Sequence, residues 1–136
     1  MEYTIIEYKE YSSKEILPLY AAVGWTNYTD CPEMLRQAYG HSLCTLAAYD
    51  SEELVGVIRA VGDGYSVVFI QDLLVYPDYQ RCGIGTSLLS ALKKRFPNVY
   101  QMELLTDNTA RSRSFYETNG FAEASCLGCL AYVRMN

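Results

Sequence analysis

The sequence predicts a single mixed α/β (α+β) domain over residues 1–136, and three observations predict it. Half of the residues are hydrophobic and a fifth are charged, the composition of a folded globular chain. Runs of β-branched and aromatic residues alternate along the chain with segments whose apolar residues recur at helical spacing. A chain of 136 residues can bury one real core and is too short for two ordinary domains. The expected element order is β-α-α-β-β-β-α-β-α-β, with no repeat, linker or low-complexity segment.

Tyr3 to Tyr8 (YTIIEY) reads as the first strand. Ser12 and Ser13 are N-cap candidates, and Glu15 stands at capping-box distance from Ser12. Ile16, Leu17, Leu19, Tyr20 and Val23 then form an apolar helical face, with Pro18 in the first turns and Gly24 as the stop. The segment from Trp25 to Asp30 reads as an aromatic and polar link. Pro32 opens a short second helix that Gly40 closes.

Ser42 to Tyr49 and Leu54 to Ala60 read as strands joined by the turn signal Asp50-Ser51-Glu52-Glu53, so a hairpin is expected. After the Gly62-Asp63-Gly64 turn, Tyr65 to Val75 (YSVVFIQDLLV) is the longest strand candidate. Its nearly unbroken apolar character predicts a central strand buried on both faces. Ile84, Leu88, Leu89, Leu92 and Phe96 line the next helix. Lys93, Lys94 and Arg95 complement its dipole, and Pro97 ends it. Val99 to Leu105 is a strand, which makes a right-handed crossover and a parallel pair with Tyr65 to Val75. A helix to about Thr118 follows, capped by Asn119-Gly120. The tail from Phe121 to Met135 is expected to return as one or two strands.

Composition excludes several function classes. The net charge is −5 and no basic run occurs, which argues against a nucleic-acid partner. No run of about 18 apolar residues exists, so no membrane span is expected. The N-terminal stretch lacks the basic start and apolar core of a signal peptide. The five cysteines are odd in number and irregular in spacing, which fits reduced thiols and a cytoplasmic location. Cys126 and Cys129 match CxxC superficially. As members of a strand they would face opposite sides, and His41 is the only histidine, so no metal is expected.

The chemistry concentrates after the Tyr65 to Val75 strand. There Gln80-Arg81-Cys82-Gly83-Ile84-Gly85 leads into the amphipathic helix. A helix start offers unpaired N–H groups and the positive end of a dipole, and glycines allow a phosphate close to the backbone. A Walker loop needs a lysine that neither glycine is followed by. A dinucleotide fingerprint needs a third glycine and an earlier place in the chain. Gln80-x-x-Gly83-x-Gly85 instead resembles the Q/R-x-x-G-x-G/A acetyl-CoA signature of the GCN5-related N-acetyltransferase (GNAT) superfamily. Further along, Phe115-Tyr116-Glu117-Thr118-Asn119-Gly120-Phe121 is similar to the family's FYxxxGF segment. Residues 70–75 are similar to the corresponding strand of the glucosamine-phosphate acetyltransferase branch.

The resemblance implies a GNAT-like mixed sheet of six or seven strands with about four helices. It also implies direct acetyl transfer from acetyl-CoA, as co-substrate, to a primary amine, without a covalent enzyme intermediate or metal. The pyrophosphate is then expected on Gln80, Arg81, Cys82, Gly83, Ile84, Gly85 and Thr86. The pantetheine arm is expected along Leu73, Leu74 and Val75, beside a bulge of unknown position. The family places an asparagine contact to pantetheine at the position of Thr109, and Asn108 stands one residue early; either contacts the arm or caps the helix.

Tyr116 matches the family's general acid, and a phenol is protonated at pH 7. Asp72, the one acid inside an apolar strand, is expected to serve as base, to cap neighbouring backbone or to pair with Arg59. Trp25, Tyr28, Arg59 and Asp63 are acceptor-site candidates: the aromatic pair by its ring faces, Asp63 as an ammonium partner or simply a turn residue. His41 reads as a surface or packing residue. The expected acceptor is a small amine, and the expected assembly a monomer or homodimer. The rivals are a protein lysine or N-terminal acetyltransferase and a non-catalytic acyl-CoA-binding module.

Overall fold

A computed structural model describes residues 2–136. The backbone divides into two compact units, one ending at Leu105 and the other running from Thr106 to Asn136. The first contains β1 (Thr4–Glu7), α1 (Ser13–Ala22), α2 (Thr26–Thr29), α3 (Pro32–Gly40), β2 (Cys44–Asp50), β3 (Glu53–Gly62), β4 (Val67–Val75), α4 (Ile84–Arg95) and β5 (Gln101–Leu104). The second contains α5 (Ala110–Thr118) and a 3-10 turn at Ala124–Leu127.

The sheet runs β1-β2-β3-β4-β5. The first four strands pair antiparallel, and β4 pairs with β5 in parallel. A mixed α/β fold with one open sheet is therefore what the sequence implies. Ile16, Leu19 and Tyr20 of α1, with Leu35 and Tyr39 of α3, pack on Ala47, Val57 and Leu74 of the sheet. Each such side chain, fully buried, contributes roughly 1.5–3 kcal/mol before chain entropy is counted. Ile84, Leu88, Leu89 and Leu92 of α4 are buried in a second contact, against β2, β3 and β4. Gly56 permits the close approach of β4 to β3: a Cβ there would lie 2.9 Å from the Leu74 carbonyl oxygen.

Several expectations need correction. The sheet has five strands, not six or seven, because residues 128–136 form no strand among the described residues. Leu130, Tyr132, Val133 and Met135 stand exposed there; β-propensity makes a strand only where a partner edge receives it. Among the described residues there are five α-helices, since Thr26–Thr29 forms a short helix where a link was expected. The central and most buried strand is β3. One row of β4 is only half-buried, and Gln71 is exposed. The capping box does not close: Ser12 makes no side-chain cap, and the Glu15 carboxylate accepts from the hydroxyls of Tyr8 (3.1 Å) and Tyr49 (2.9 Å) instead.

Candidate active site

The glycine loop begins where β4 ends. Tyr76 N–H still donates to the Val55 carbonyl, at 2.9 Å, and a 3-10 turn at Pro77–Tyr79 follows. Gln80 Nε2 donates back to the Val75 carbonyl at 3.0 Å, folding the loop over the strand end. Arg81 then takes φ +63° and Gly83 φ +83°. The left-handed conformation is easy for Gly83 and strained for Arg81. Gly83 is the N-cap of α4 and offers no side chain to its N-terminus. The leading N–H groups of α4 therefore receive no side-chain cap from Gly83, at the positive end of a 12-residue helix. Tyr3, unsignalled by any motif, braces this loop: its hydroxyl lies 2.6 Å from Ser87 Oγ and donates to the Gly83 carbonyl at 3.4 Å.

An open strand edge lies beside the loop. The β4–β5 ladder stops at Ile70 opposite Leu104, whereas β4 runs on to Val75. On its other side β4 stays paired with β3 as far as Val75 opposite Gly56. At Leu73, Leu74 and Val75 no strand thus pairs with β4 on the β5 side among the described residues, and the Val75 carbonyl accepts from the Gln80 side chain instead. The register shift predicted without a position falls here as well. Arg59 pairs with Asp72 and Ala60 with Ile70, so Gln71 is the extra residue.

Of the roles open to Asp72, the structure shows the pairing with Arg59. Arg59 Nε donates to Asp72 Oδ2 at 2.7 Å, with the two side chains 4% and 0% exposed. The Tyr20 hydroxyl donates to the same oxygen at 2.8 Å and lies 2.9 Å from the Tyr39 hydroxyl. The Arg59 guanidinium reaches Ser42 Oγ at 3.1 Å and sits 5.3 Å from the centre of the Tyr39 ring. Burial opposes its charge, but the charge of Asp72 and its hydrogen bond outweigh burial and raise the Arg59 pKa. Asp72 Oδ1 is buried without a partner. Neither oxygen is open to an incoming amine, and Arg59 is equally closed to an acceptor. Tyr20 and Tyr39 carried no sequence signal beyond helical spacing, which marked Tyr20 as core.

Trp25 and Tyr28 are stacked, with ring centres 5.9 Å apart and planes 24° apart, and Tyr20 meets both edge-on. The bulge residue Gln71 donates from Nε2 to the Tyr28 hydroxyl at 3.2 Å. These half-buried rings therefore adjoin the bulge in β4. Asp63 stands in the turn before β4 begins. Its carboxylate accepts from the N–H groups of Tyr65, Ser66 and Val67 and from the Ser66 hydroxyl. Those bonds hold its pKa far below the usual carboxylate range, so Asp63 acts as the turn residue. His41 is exposed, with Nδ1 2.9 Å from the Gln37 carbonyl.

In the second unit Tyr116 is half-buried on α5, its ring edge-on to Phe115 (5.0 Å) and Phe121 (6.0 Å). The Phe121 N–H returns to the Tyr116 carbonyl at 3.0 Å, closing the Asn119-Gly120 stop. Burial pushes the Tyr116 phenol up, and the Asp107 carboxylate adds to the shift. Thr109 is the N-cap of α5 and accepts from Ser112 N–H at 3.1 Å; Asn108 is exposed. Cys126 lies in a 3-10 turn rather than a strand, so the opposite-faces argument does not apply to the CxxC pair. Among the described residues no three His, Cys, Asp or Glu side chains are grouped to hold a metal ion.

These features agree with comparisons to known proteins. The family model for the acetyltransferase (GNAT) family matches residues 8–121. A GNAT-family acetyltransferase from Streptococcus pneumoniae TIGR4 is 43% identical, covering 99% of this chain and 98% of its own, with a TM-score of 0.90. Two more distant structures share the fold. The PaiA N-acetyltransferase from Thermoplasma acidophilum, solved in complex with coenzyme A, has a TM-score of 0.69 at 17% identity, covering 90% of this chain and 91% of its own. An aminoglycoside acetyltransferase from an uncultured soil metagenomic sample has a TM-score of 0.73 at 20% identity, covering 100% and 99%. A search of curated proteins gave no match. With both motifs, the open β4 edge and this likeness in hand, the chain belongs to the GNAT acetyltransferase family and is an acyl-CoA N-acyltransferase.

Proposed function

We propose that the protein transfers acetyl from acetyl-CoA directly to a primary amine of a small molecule, in the cytoplasm, as a monomer or homodimer. One observation carries the donor half: the open β4 edge at Leu73, Leu74 and Val75 runs straight into a loop with two positive-φ residues and an uncapped helix start. That sequence of surfaces matches the donor in order. The amides of pantetheine pair with main chain, and the pyrophosphate lies on the N–H groups of residues 81–86 with the Arg81 charge beside it.

The cationic acceptor first loses a proton to water at the rim lined by Tyr28 and Gln71, which Asp72 supports from inside through Tyr20. The free amine nitrogen then attacks the thioester carbonyl; the C–N bond forms, the C–S bond breaks, the thiolate takes the Tyr116 phenolic proton, and the second proton of the attacking nitrogen passes through water to the Tyr116 phenolate. Tyr116 holds the acid role on its segment Phe115 to Phe121 and on a phenol that burial keeps protonated. The Trp25 and Tyr28 rings receive the cationic acceptor, and Asn108 and Thr109 remain the cofactor-side candidates at the start of α5. The test is release of free CoA thiol from acetyl-CoA with a panel of small amines and a panel of lysine and N-terminal peptides. Release with a small amine is expected. Release with peptides alone would assign the protein-acetylating class, and release with neither would leave a non-catalytic acyl-CoA-binding module.

A further inference from the structure

We infer that the buried Arg59–Asp72 pair is a register clamp. It fixes the extra residue Gln71 in β4 and so holds the edge at Leu73, Leu74 and Val75 open for the acyl-CoA arm. The inference rests on the donor half of the proposed function.

Arg59 and Asp72 are the charged residues that are buried among the described ones. A buried ion pair is a poor source of stability, because desolvation offsets the attraction. Its best-attested use is to specify one register against competing ones. The location fits that use. Arg59 opposite Asp72 is the last ladder pair before the shift, and Ala60 opposite Ile70 is the first beyond it. Ile70 is also where β5 leaves β4. The pair thus stands on the far side of Gln71 from Ile70, next to the point where β4 changes register on one side and loses its neighbour on the other.

Slipping β4 by one residue would remove Asp72 from Arg59 and turn its charge out of the α1–α3 layer. It would also break the bond from the Tyr20 hydroxyl. Each alternative register then strands a charge. Around the pair, the Tyr20, Tyr39 and Ser42 hydroxyls are the polar groups that α1, α3 and the residues after α3 supply. Gln71, displaced outward, ties the bulge to α2 through Tyr28.

The test is the double variant Arg59→Met/Asp72→Leu, which keeps the volume and removes both charges. It is read by melting temperature, by cross-strand NOEs between β3 and β4, and by titration with CoA. The expected result is a folded protein that still melts cooperatively. The Arg59–Asp72 and Ala60–Ile70 contacts are expected to give way to a slipped or mixed pattern, and the Kd for CoA to rise at least tenfold. Retention of either the native register or the native CoA affinity overturns the inference. If the double variant does not fold, Asp72→Asn, which keeps the shape and an acceptor for Tyr20, is read in the same two ways. A wild type that binds no CoA would defeat the proposed function instead, with the NOE pattern still deciding the clamp.

Discussion

The hydroxyls of Tyr3 and Ser87 lie 2.6 Å apart, joining the residue before the first strand to the first turn of α4. The same Tyr3 oxygen reaches the Gly83 carbonyl, so the chain's start props the proposed phosphate loop. Tyr3→Phe removes a hydrogen bond worth about 0.5–1.5 kcal/mol. The expected outcome is a roughly three- to tenfold weaker Kd for acetyl-CoA, measured by titration calorimetry, with the fold retained.

Gly83 takes φ +83°, and the nearest atom to an added Cβ is the Tyr3 hydroxyl at 4.0 Å. Space is therefore not the obstacle to a side chain; conformation is. An alanine in the left-handed region costs roughly 1–2 kcal/mol, and its Cβ would stand where a phosphate must approach. Gly83→Ala is expected to lower the melting temperature by a few degrees and to weaken acetyl-CoA binding at least tenfold, a loss larger than the Tyr3→Phe change.

Tyr116→Phe is expected to lower kcat about 10²–10⁴-fold, the usual size of acid catalysis, with acetyl-CoA affinity nearly intact. Because burial raises the Tyr116 phenol, the acid stays protonated past the ordinary phenol value near pH 10. The alkaline fall in kcat therefore begins above about pH 10 in the wild type. An unchanged kcat in the variant would remove Tyr116 from the acid role.

Tyr20 offers a test of the buried network through stability. Its hydroxyl donates to a buried carboxylate, and such a bond is worth about 1.5–3 kcal/mol. Tyr20→Phe is expected to lose that much in urea unfolding. Burial raises the phenols of Tyr8, Tyr20 and Tyr39 in the folded state. In the unfolded chain they ionise near pH 10. Folding stability is thus fully present below about pH 10 and is lost as pH rises through the folded values. The wild-type melting temperature should fall from about pH 10 upward, and less steeply in Tyr20→Phe.

What the sequence revealed and what it hid follow from the range of the interactions. Gly83 and the apolar row Ile84, Leu88, Leu89 and Leu92 were legible because a positive-φ cap and a helical face are written in adjacent residues. The partner of Asp72 was legible only as a choice, since Arg59 is 13 residues away, and Tyr20, 52 residues away, gave no signal. The tail misled for the same reason: Leu130 to Val133 has strand propensity, but a strand needs an edge that lies elsewhere in the chain. Asp63, too, was legible as a choice. A carboxylate flanked by glycines reads as a ligand or as a turn, and the N–H groups of Tyr65, Ser66 and Val67 decide for the turn.

The central claim is that the open edge of β4 and the start of α4 hold acetyl-CoA, and thermal unfolding with acetyl-CoA tests it most directly. A ligand at 100 times its Kd stabilises the folded state by about 2.7 kcal/mol, which for a chain of this length raises the melting temperature by several degrees. The expected result is such a rise in the wild type at millimolar acetyl-CoA, reduced in Gly83→Ala at the same concentration. An unmoved wild-type melting temperature would contradict the account.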